Sequence, residues 1–217
     1  GEDMLGQLRN MRGHVNLFIS QYSINAWGWE SKNDTKVITH GIDTDLFCPK
    51  EGEKSDEILS VVNDWINRDW CCGFSIWQRI INNLPHKVVG DTPGLSKPAP
   101  STEELVSNYQ NSRIFLNTST ISPVPTALME AMSCGCAVVS TETCMIPEVI
   151  ENGVNGFITN DEKQMEQHLV DLLNDEDMAK EIGDNARKTI VNRYSAEKFV
   201  DKWQHILYTA SNIVFKG

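Results

Sequence analysis

From Lys36 onward, short apolar runs alternate with stretches in which apolar residues recur every three or four positions. Runs of four to six such residues are the length of strands, and the longer periodic stretches have the repeat of helices with one buried face. The pattern predicts strands at 36–39, 57–62, 86–89, 113–117, 137–140 and 156–159. Between them it predicts helices at 73–83, 102–111 and 125–134, with a short one at 147–151. Several strands are continuously apolar, as expected when both faces of a sheet are covered. Strand–helix alternation of this kind builds parallel strands joined by right-handed crossovers, so the expected fold is α/β, one Rossmann-like doubly wound layer.

After Asp161 the pattern becomes helical only, with helices expected at 162–173, 175–194 and 196 to about 213 as a C-terminal tail. Ahead of the alternation, residues 2–12 read as a helix, 15–20 as a strand, and the rest up to Asp34 as a polar, tryptophan-bearing segment. The expected division is therefore an arm over 1–35, a nucleotide-binding layer over 36–194 and a crossing helix over 195–217. Residues 91–101, with three prolines and a glycine, form the one obvious long loop. Its position after a strand puts it at the ligand-bearing edge.

Composition narrows the function. The chain has 217 residues, 40% of them hydrophobic and 23% charged, enough to bury a substantial core and too apolar for disorder. A formal net charge of −11 argues against nucleic acid as a partner and leaves at most peripheral membrane contact. With no long apolar run and no secretory pattern at residue 1, the expected location is the cytoplasm. The cysteines at 48, 71, 72, 134, 136 and 144 lack CxxC spacing and read as free, mostly buried thiols. No metal-ligand spacing is visible, and no metal or bound cofactor is expected.

In an open parallel sheet, ligands bind beyond the carboxyl ends of the strands. The loop after strand 113–117 runs Thr118-Ser119-Thr120-Ile121-Ser122-Pro123-Val124-Pro125-Thr126 into a helix. Unpaired amides at that helix start, those of Thr126 and Ala127, suit an anion such as phosphate. Glu130 lies four residues after Thr126, on the same helical face and about 6 Å along the axis. A carboxylate there accepts hydrogen bonds from vicinal hydroxyls, as a ribose clamp would require; a solvated surface Glu is the plainer account of the same spacing.

Three ordered motifs point further. Leu128 to Val139 reads LMEAMSCGCAVV, residues 146–157 read IPEVIENGVNGF, and residues 40–49 read HGIDTDLFCP. Together they resemble group 1 retaining glycosyltransferases. The resemblance implies the GT-B arrangement of two Rossmann-like domains, with the C-terminal, nucleotide-sugar-binding one present here and the N-terminal acceptor domain missing. It implies a nucleoside-diphosphate sugar as donor substrate, a carbohydrate or other hydroxyl acceptor, and metal-independent transfer with retention. Thr126, Ala127, Glu130 and Val124 are the implied binding positions.

Two departures stand out. Ser122 occupies the position of the family's first Glu, which faces the donor sugar. Where the family carries an Arg and a Lys to neutralise the diphosphate, residues 63–73 offer Arg68 alone. Arg68 is the candidate for that work, against a surface pair with Asp64 or Asp69. Lys97 in the proline-rich loop is the reserve. Residues 141–145, TETCM, replace a glycine pair and should narrow the crevice. Glu148 is open to ligand contact or to a structural hydrogen bond. Two rivals remain: a non-catalytic binding module of the same fold, and another doubly wound enzyme. The second lacks support, since neither G-x-G-x-x-G nor G-x-x-x-x-G-K-[ST] occurs.

Overall fold

The computed structural model describes residues 15–29, 35–122 and 124–214. The helix expected at 2–12 lies outside them. The described chain runs β1 (Asn16–Phe18), α1 (Gln21–Ala26), β2 (Thr35–Val37), β3 (Ser55–Val61), α2 (Asp69–Cys72) and α3 (Phe74–Ile81). It continues through β4 (His86–Val89), α4 (Thr102–Asn111), β5 (Ser112–Asn117), α5 (Thr126–Ser133), β6 (Ala137–Ser140), α6 (Ile146–Val149) and β7 (Phe157–Ile158). Three helices finish it: α7 (Glu162–Asn174), α8 (Glu176–Tyr194) and α9 (Ala196–Val214).

Five strands form a parallel sheet in the order β4-β3-β5-β6-β7, flanked by helices on both faces. Alternation along each strand divides the core. Leu59, Phe115 and Val138 face one layer with Tyr109, Leu128, Met129 and Ile190, while Ile58, Ile114, Leu116 and Val139 face the other with Trp77, Ile80 and Leu169. The fold is therefore the expected doubly wound layer with a helical tail.

One strand was misplaced. The apolar run at 36–39 was expected in the main sheet, but β2 pairs in parallel with β1 in a separate two-stranded sheet. The last residues of the run are committed to the arm as well, Ile38 N–H donating to the Phe18 carbonyl and Thr39 Oγ1 to that of Ile19. Two short helices, α1 and α2, stand where the pattern predicts none. The chain then crosses α9 at Gly41, where a Cβ would sit 2.7 Å from that of Phe199 and 2.9 Å from the Ala196 Cα. Only a residue without a side chain passes there.

Candidate functional site

The strand order reverses between β3 and β5, since β4 lies beyond one and β6 beyond the other. Loops leaving the carboxyl ends of these two strands diverge over a crevice, the usual binding place in such sheets. Here they are stitched together at its floor. Thr120 and Ile121 N–H both donate to the Cys71 carbonyl, at 2.9 and 3.1 Å, and Thr120 Oγ1 donates to the Trp70 carbonyl at 3.1 Å. Thr118 Oγ1 donates to the Gly73 carbonyl at 2.8 Å. Gly73 has φ +66°, and a Cβ on it would stand 2.0 Å from the Thr118 carbonyl oxygen. From the other side, Thr141 and Thr143 Oγ1 both donate to the Ser119 carbonyl. The 141–145 loop thus braces the site, and Cys144 holds a left-handed φ of +52° there without being glycine.

The helix α5 springs from this floor. Leu128, Met129, Ala131, Met132 and Ser133 are all buried. What stays uncovered is Thr126, exposed, with Ala127 and Glu130, half-buried. These three share a face by helical spacing. Ser122 is half-buried in the loop before them, and Val124 and Ala127 pack against the core.

The amide supply at the start of α5 needs one correction. The Thr126 amide was expected to be open, but it donates to the Val124 carbonyl at 2.9 Å. Pro125, at φ −81° and ψ 72°, closes this three-residue turn. Pro125 is thus the cap rather than the first helical residue, and the first amides without a carbonyl partner among the described residues are those of Ala127 and Leu128.

Glu130 is anchored by one oxygen. Tyr109 Oη, from the buried face of α4, donates to Glu130 Oε2 at 2.9 Å, and no described residue donates to the other oxygen. Burial raises the Glu130 carboxyl above its ordinary pKa, and the tyrosine bond partly counters this. Burial and the neighbouring carboxylate hold Tyr109 well above the usual phenol range, so it remains a donor. Tyr109 was not singled out from sequence. A buried tyrosine needs a hydroxyl partner, and that was the available signal.

Arg68 is exposed and caps α2, with Nη1 3.5 Å from the Asn63 carbonyl. The two carboxylates that competed for it are engaged elsewhere. Asp69 accepts from Ser75 N–H at 2.7 Å and Ser75 Oγ at 2.5 Å, bonds that lower its pKa, and Asp64 accepts from Asn67 Nδ2 at 2.6 Å. Arg68 thus stands on the β3 side of the crevice. Lys97 is exposed, its carbonyl accepting from Gly90 N–H at 3.0 Å within the folded 91–101 loop.

Glu148 is structural. Both of its oxygens accept amides of the arm helix α1, Gln21 N–H at 3.0 Å and Tyr22 N–H at 2.7 Å. Its own carbonyl accepts from Arg193 Nη2 and Tyr194 Oη. The 40–49 segment is likewise scaffold. Arg187 Nη1 donates to the carbonyls of Thr44, Phe47 and Ser133, at 3.0, 2.8 and 2.8 Å. Among the described residues there is no group of acidic, histidine or cysteine side chains that could hold a metal ion, and no helix long and apolar enough to cross a membrane.

A parallel sheet with helices on both faces and a crevice at the switch point of its strand order defines a Rossmann-like domain of the doubly wound class. Residues 97–189 match the family model described as glycosyl transferases group 1. Alpha-maltose-1-phosphate synthase of Mycolicibacterium smegmatis is 31% identical over 214 residues, covering 78% of this chain and 54% of that protein. Sucrose-phosphate synthase from Thermosynechococcus elongatus superposes with a TM-score of 0.76 at 15% identity, over 89% of this chain and 57% of that one. Anabaena Alr3699/HepE in complex with UDP gives 0.76 at 19% identity, over 90% and 64%. The sequence match to this family covers residues 97–189, and the described layer shares the fold of these solved structures. The chain spans between 22% and 57% of the length of the curated relatives it matches.

Proposed function

We propose that this domain binds the donor of a glycosyltransferase, a nucleoside-diphosphate sugar, for metal-independent transfer with retention to a hydroxyl acceptor. The observation that carries this reading is the face of α5: a helix buried on its other positions leaves open Thr126, Ala127 and Glu130 alone over its first two turns. Glu130 has one oxygen fixed by Tyr109 and the other open, which suits two vicinal ribose hydroxyls. The diphosphate lies against the Ala127 and Leu128 amides and the Thr126 hydroxyl, with the dipole of α5 behind them. Arg68 faces the same charge from across the crevice and offsets it as the leaving group departs, where such stabilisation counts most. Ser122 meets the sugar as a neutral hydrogen-bonding group in place of a carboxylate.

Solved relatives bound to UDP and to UDP-glucose make these the first probes. Titration calorimetry with UDP-glucose is expected to give binding that Glu130→Ala weakens at least about tenfold, the worth of one charge-assisted hydrogen-bond pair. Unchanged affinity in that variant removes Glu130 from the site. Ser122 keeps the non-catalytic reading alive. UDP-glucose that binds but is neither hydrolysed nor transferred, even with an acceptor domain supplied, decides for a binding module.

A further inference from the structure

We propose that Trp70, with Ile121 beside it, is a platform on which a pyranose ring stacks at the phosphate end of the crevice; this rests on the donor-binding reading above. Trp70 is 72% exposed, more than any other large apolar side chain among the described residues, and Ile121 is 52% exposed. Their backbones are neighbours. The Trp70 carbonyl accepts from the Thr120 hydroxyl, and the Cys71 carbonyl accepts from the amides of both Thr120 and Ile121. With Gly73 locked against Thr118, the backbone that carries Trp70 is held from both loops.

The chemistry around the pair selects the occupant. Arg68 lies two residues before Trp70, and Ser122 directly follows Ile121, so the two loops that carry the apolar pair also carry polar groups. A pyranose has the complementary form: a face of polarised C–H bonds, drawn to the electron-rich indole face, and a rim of hydroxyls. Two such side chains expose on the order of 200 Å², an area that a single ring covers. The platform stands beside the loop ahead of α5, while Glu130 lies one turn into that helix, which puts it at the sugar end rather than the nucleoside end. The ring is either that of the donor or that of an acceptor, since both meet there.

The test uses the full chain, with UDP, UDP-glucose and maltose as probes in calorimetry and ligand-observed NMR, on wild type, Trp70→Ala and Trp70→Phe. Trp70→Ala is expected to leave the UDP affinity within about twofold while weakening a pyranose-bearing probe about fivefold, with Trp70→Phe restoring most of the loss. A loss confined to UDP-glucose assigns the platform to the donor sugar, and one confined to maltose assigns it to an acceptor. Sugar binding that is equal in wild type and Trp70→Ala overturns the platform. So does a wild type that shows no maltose binding and no difference between UDP and UDP-glucose. Failure of UDP itself to bind overturns the donor reading instead, and the maltose arm still decides the platform.

Discussion

The two ends of α5 belong to one stretch of sequence and are built on opposite plans. At the C-terminal end every polar group is spoken for: Lys54 Nζ donates to the carbonyls of Cys134 and Gly135, Ser133 Oγ to that of Phe47, and Arg187 joins Thr44, Phe47 and Ser133. Gly183 of α8 lies so close that a Cβ on it would be 2.4 Å from the Gly135 carbonyl oxygen. At the N-terminal end an exposed threonine, a bent turn at Pro125 and a half-engaged carboxylate leave hydrogen-bonding capacity unspent. The closed end fixes where the helix is, so that the open end need not stabilise itself and stays available to a ligand. Stability and the proposed binding thereby fall on different turns of one helix.

That division can be broken first at the closed end. Arg187→Met strips three carbonyls of their common donor and is expected to cost about 3 kcal/mol, read as a shifted denaturation midpoint, while the folded protein keeps its UDP-glucose affinity. A fall in affinity without loss of stability would show that the two ends are not separate. At the open end, Glu130→Gln is expected to do the reverse, weakening binding while raising stability at neutral pH. The sign follows from burial. Since the folded pKa is raised, the favourable contribution is complete below the ordinary value of 4.5 and is lost as pH rises through the folded value. The gain in Glu130→Gln should therefore vanish in denaturation measured at pH 4.

The pH dependence of binding sharpens the comparison further. UDP-glucose carries no phosphate group that titrates near neutrality, so its affinity should fall as pH drops through the raised Glu130 pKa, and Glu130→Gln should flatten the profile. Tyr109→Phe removes the bond that lowers this pKa, so the fall should begin at higher pH. The smallest effect is expected at Cys144. Replacing it with glycine relieves a left-handed φ of +52° and should stabilise the fold by about 0.5 to 1 kcal/mol, measured by thermal denaturation.

Much of the layer was legible because strand and helix periods differ and the apolar runs obey them. His86–Val89, Thr102–Asn111 and Ala137–Ser140 fall where periodicity puts them. Periodicity says nothing of which sheet a strand joins, and so 36–39 was assigned to the wrong one. The helices α1 and α2, of 6 and 4 residues, are too short to show a period at all. At the site, spacing brought out Thr126 and Glu130 because they share one helix. The Thr126 amide was misjudged since the turn at Pro125 depends on a torsion angle that spacing does not reveal. Glu148 could not be read, its partners being 126 and 127 residues away. Arg187 left a trace: it is a cation one position after Ala186, in a helix whose buried face is Ile182, Gly183, Ala186 and Ile190. A charge at such a margin needs acceptors, and these are the carbonyls of 44, 47 and 133.

The grip of Glu148 on the first amides of α1 bears on how the polypeptide tolerates trimming. A version begun after Ala26 would leave that carboxylate facing water where two N–H donors had been, and the corner formed by Ile146–Val149 and Tyr194 would lose its outer buttress. Boundaries drawn at the first strand of the large sheet would thus sever a joint that belongs mechanically to the layer built on that sheet.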